Sequence, residues 1–218
     1  MRDGPKMSFV ASCRLHGTTR FFIERFSLTF DDAEVVMEAD GRIPVFPTEA
    51  AARAEIGRRF PLPRGGPITE SSSIEHLAGA MEDDYASKLK LFYDLDAARG
   101  WTKAPGPSGI TPELALTVWE LCWQVGDAPR PQRFDPMGMV GIHENMRREP
   151  AGERRDAYDV VLLGMKLSGI VHLAQEAGKP SEWGMEMPEM AELWPKTDFA
   201  RLAGILDKGI DGFAKRTD

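Results

Sequence analysis

The sequence predicts an α+β fold: an N-terminal antiparallel β-meander or hairpin sheet with one helix, followed by a mostly α-helical C-terminal part. Three observations carry this. Apolar residues alternate with period two early in the chain. Helical spacing takes over from Asp94 onward. Strands precede helices instead of alternating with them. The boundary falls after Tyr93, giving a β-rich part over 1–93 and a helical part over 94–218, with one continuous domain as the alternative reading.

In the β-rich part, Met7, Phe9, Ala11, Cys13 and Leu15 alternate with Ser8, Val10, Ser12 and Arg14, as expected of a strand with one buried face. His16-Gly17-Thr18 reads as a turn. Phe22, Phe26, Leu28 and Phe30 share a face of the next strand. Glu24 interrupts that face, which predicts either a bulge or a carboxylate at the sheet rim. Ala33 to Met37 is a third short apolar run. Asp40-Gly41 signals a hairpin with Ile43 to Phe46 as the returning strand, and Pro44 puts that strand at an edge. Thr48 caps a helix that runs to about Arg59. Three prolines and two glycines make 60–69 a loop, and a short helix fits Ile74 to Met81. The alternation in Lys88 to Asp94 marks a further strand.

In the helical part, Asp94 is placed to cap a helix over Leu95 to Trp101. Thr111-Pro112-Glu113 combines a capping hydroxyl, a proline at the first helical position and an acid at the positive helix end. Leu114, Val118, Leu121 and Val125 then form an apolar stripe. Asp135-Pro136 repeats the start signal, with Met139, Ile142 and Met146 at helical spacing. The longest helix is read over Glu153 to Ala177. Its apolar residues spread around most of the cylinder, so it is expected to be central. Thr197 caps a last helix with Phe199, Leu202, Leu206 and Phe213 on its inner face.

The chain has 218 residues and a net charge of −7, of which the first 93 residues contribute −2 and the remainder −5. An acidic balance disfavours nucleic acid, and the one Arg-rich patch, Arg147, Arg148, Arg154 and Arg155, is diluted by Glu149 and Glu153. No apolar run reaches the roughly 18 residues of a membrane helix, and the first residues lack a signal-peptide core, so a soluble cytoplasmic protein is expected. Cys13 and Cys122 form no C-x-x-C pair.

Asp94-Leu95-Asp96 is a D-x-D, the kind of hard-oxygen pair that can hold Mg²⁺ or Mn²⁺ with a diphosphate. With 16 Asp in the chain, about one such spacing is expected by chance, and a helix cap plus a first-turn acid is the simpler reading. The acidic clusters Glu82-Asp83-Asp84 and Asp31-Asp32-Ala33-Glu34 read as solvated turns. His16, His76, His143 and His172 show no metal-ligand spacing, and His143-Glu144 lacks the second His of H-E-x-x-H. His172 and Glu176 are one helical turn apart. Cys122 sits inside a helix between Trp119 and Trp123, away from any activating terminus, and Cys13 is on the buried strand face. Trp119 and Trp123 read as core, or as the floor of a ligand pocket. The segment from Trp183 through Met185, Met187 and Met190 to Trp194 is rich in thioethers and indoles, which suit an adaptable interaction surface. There is no G-x-S-x-G, no P-loop and no dinucleotide glycine signature.

No cofactor and no metal are therefore expected. The favoured expectation is a non-catalytic interaction protein, in its concrete form an immunity-type protein that binds a basic protein partner, with no nucleic acid and no membrane; the oligomeric state stays open. The alternative is an enzyme with a dispersed, metal-assisted carboxylate and histidine site, for which the candidates are Asp94, Asp96, His143, Glu144 and His172.

Overall fold

A computed structural model describes residues 6–27, 32–60, 92–131, 153–176 and 190–218. Strands β1 (Lys6–Leu15) and β2 (Thr18–Ser27) form an antiparallel hairpin in unbroken register, from Lys6 opposite Ser27 to Leu15 opposite Thr18. The two-residue turn has His16 at φ 53° and Gly17 at φ 72°. Positive φ at both positions is what a type I′ turn needs, and its twist matches that of the strands. Strand β3 (Asp32–Val35) pairs antiparallel with β2, and β4 (Phe92–Asp94) pairs parallel with β1. The sheet order is β3-β2-β1-β4.

The fold class is thus α+β, with one difference inside the sheet: it is mixed, not purely antiparallel. A parallel neighbour needs a long crossover, and the chain between β3 and β4, which includes α1, supplies it. The returning strand expected over Ile43 to Phe46 does not form. The turn itself does: Gly41 has φ 81°, the Glu38 amide donates to the Arg42 carbonyl, and Asp40 accepts from the Arg42 backbone and guanidinium. Beyond it, only Phe46 bridges Phe21, and the Ile43 amide donates to the carbonyl of Arg216. Pro44 and Pro47 lack the N–H groups that a ladder would use.

Helix α1 (Glu49–Arg59) starts at Thr48, whose hydroxyl accepts from the Ala51 amide. It lies against β1 and β2 and buries Ala52. At its end Phe60 lies under the guanidinium of Arg25, 4.4 Å from the ring centre, while Arg59 pairs with both Glu55 and Glu38. Arg25 and Ile23 are two residues apart, so α1 covers the Ile23 face of the sheet. The opposite face carries the buried Ala11, Cys13, Leu15, Phe22, Val35 and Tyr93.

The helical segments are α2 (Leu95–Thr102), α3 (Pro112–Gln124), α4 (Glu153–Glu176), the short α5 (Met190–Leu193) with a 3₁₀ turn (Trp194–Lys196), and α6 (Phe199–Thr217). Thr111 caps α3 by accepting from the Leu114 amide, with Pro112 in the first turn. Val118, Trp119, Leu121 and Cys122 on α3 are fully buried, and α3 packs against α4. On α4, Leu163, Met165, Leu167 and Ile170 are buried, whereas Lys166 and His172 are exposed. On α6, Leu202, Leu206, Ile210 and Phe213 form the buried stripe. Its cap is Asp198, not Thr197: the Asp198 carboxylate accepts from the Arg201 amide, while the Thr197 amide closes the preceding 3₁₀ turn on Trp194.

The chain divides into two compact units, one of Met1–Asp96 with Ala214–Asp218 and one of Ala97–Phe213. The expected helices over Ile74 to Met81 and from Asp135, the loop after Phe60 and the first half of the Lys88 to Asp94 strand lie outside the described residues.

Within the second unit, Gly209 permits a close approach of α6 to α3: a Cβ there would collide with both Cβ and Sγ of Cys122. A Cβ on Gly204 of the same helix meets nothing. Gly209→Ala should therefore cost about 1–3 kcal/mol through overpacking. Gly204→Ala should gain up to about 1 kcal/mol from helix propensity. Urea unfolding midpoints of the two variants, moving in opposite directions, check this.

Candidate functional site

The polar side chains with the most defined surroundings gather on the sheet of the first unit. Glu24, only 2% exposed, sits in the middle of β2, opposite Phe9 on β1 and Val35 on β3. Its Oε1 accepts from the Tyr93 hydroxyl at 2.7 Å in a buried contact. This corrects both readings of Glu24. There is no bulge, since the register runs through it unbroken, and the carboxylate is not at a rim. A buried carboxylate is tolerable when donors face it, and here β4 provides one from the far side of β1. Tyr93 aligns with Cys13, Glu24 with Phe9, and the small Ala11 lies between those two on the same face. The Phe22 ring fills the space beside Tyr93 at 5.9 Å between centres.

Asp96, in the first turn of α2, holds the hairpin turn. Its Oδ1 accepts from the His16 amide at 2.8 Å and its Oδ2 from the Gly17 amide at 2.7 Å. Two successive amides turned the same way by left-handed residues make an anion-binding concavity, which this carboxylate fills. Asp94 pairs with Arg14 at 3.5 Å, and the same Arg14 guanidinium lies 5.8 Å from the Phe92 ring centre. Both carboxylates of the D-x-D thus have partners in the sheet unit. Arg20, opposite Cys13, donates to the Thr217 carbonyl at 3.2 Å and pairs with Asp218.

Both thiols are buried and free. Burial pushes Cys13 up to about 12, with Asp96 adding to that and Arg20 opposing it. Burial, then the nearby Asp127 charge, raises Cys122 to about 12 as well. Thiols held neutral in this way make poor nucleophiles.

His172 is exposed on α4. His143 and Glu144 lie outside the described residues, as do Trp183, Met185 and Met187; Met190 opens α5. Trp194 is half-buried: its indole N–H donates to the Pro107 carbonyl at 2.7 Å, and its ring meets Phe199 edge-on at 4.9 Å. Trp119 is fully buried and donates to the Pro129 carbonyl at 2.8 Å, while Trp123 is overlaid by Arg130 at 4.5 Å. Among the described residues, no group of three or more His, Cys, Asp and Glu gathers as a metal ion would require. The Glu24–Tyr93 contact escaped sequence reading because its partners are 69 residues apart. The one local trace was an acid in an otherwise apolar strand row.

Tyr93→Phe should destabilise the protein by about 1–3 kcal/mol, because a buried carboxylate loses a donor. Asp96→Ala should cost a similar amount, and Asp96→Asn less, since the amide oxygen still accepts one bond. Chemical denaturation of the three variants checks the order. For the thiols, the native state keeps its protons to higher pH than the unfolded chain. Stability should be unaffected below about pH 8.5, fall as pH rises toward about 12, and carry no thiol-linked loss on the acid side. Thiol labelling at pH 8 should be slow in the native protein and rapid in denaturant. No family model, curated protein or solved structure matches this chain.

Proposed function

We propose that this chain is a non-catalytic interaction protein that binds a basic protein partner in the cytoplasm, an immunity-type protein being the concrete form. The observation that carries the reading is how two of the five catalytic candidates, Asp94 and Asp96, and both thiols are used among the described residues. Asp96 is committed to the amides of the hairpin turn, Asp94 to Arg14, and both thiols are buried. A metal-assisted or nucleophilic site needs such groups accessible and converging. The net charge of −7 supports a basic partner, because complementary charge speeds encounter and rejects acidic competitors. Two free thiols accord with a reducing compartment. No described helix is long and apolar enough to cross a membrane.

Affinity capture with the intact chain from its native cell should recover a basic protein in stable complex. Its association rate should fall by roughly tenfold or more between low and physiological salt, as electrostatic steering is screened. Asp94→Ala with Asp96→Ala should leave affinity for that partner unchanged after correction for stability. Recovery of no partner, or saturable Mg²⁺ or Mn²⁺ binding that this double substitution abolishes, would overturn the proposal.

A further inference from the structure

We draw no further inference here: the strongest candidate, the outer edge of the four-stranded sheet at β4 with its exposed Phe92, carries nothing because nothing in the structure shows what covers it.

Discussion

The clasp of Asp96 on the His16-Gly17 turn is the contact on which the sheet unit depends. A two-residue hairpin turn fixes strand register absolutely, and a slip of one residue would send every side chain to the other face. Here the turn needs a left-handed histidine, which costs energy that glycine would not. The carboxylate offsets that cost by accepting from the amides of His16 and Gly17. With the register set, Ala11, Cys13 and Leu15 face the buried side together. Phe22 and Glu24 then fall on that same side of β2. Because Asp96 lies two residues after the end of β4, the clasp also fixes where the parallel strand joins the sheet.

The Glu24–Tyr93 contact follows from that placement. An ionisable group in the centre of a strand has a large desolvation cost, and only a specific donor makes it tolerable. A hydrophobic residue at either position would satisfy the burial pattern. It would not distinguish the observed β4 alignment from one shifted by two residues, which keeps the same face inward. The polar pair makes that distinction, because only one alignment brings the hydroxyl to the carboxylate.

Local signals were readable and distant pairings were not. The alternation in β1, the Thr48 and Thr111 caps and the extent of α4 all follow from spacings of two to four residues, and each appears where expected. At α6 the helix was legible but the cap was off by one, because Thr197 and Asp198 are both good caps and only the geometry chooses. The return after Asp40-Gly41 failed because two prolines outweighed a sound turn signal. Of the D-x-D, Asp96 is the expected first-turn acid, whereas Asp94 ends β4 and pairs with Arg14. The partners of Asp96, turn amides about eighty residues earlier, could not be deduced from local pattern. Trp194 has the composition of an interaction surface, yet its indole is engaged by Pro107 and Phe199.

The segment Ala214–Asp218 belongs to the unit built by the first strands. Arg20 reaches the Thr217 carbonyl across 197 residues of sequence, and the Ile43 amide reaches Arg216. Synthesis on the ribosome runs from N- to C-terminus, so the hairpin emerges long before these partners exist. The sheet must wait with an unpaired amide at Ile43 and an Arg20 side chain that has not met its carbonyl. Closing so long a loop is slow. The sheet unit is therefore completed only once residues 214–218 have been made, well after its own strands.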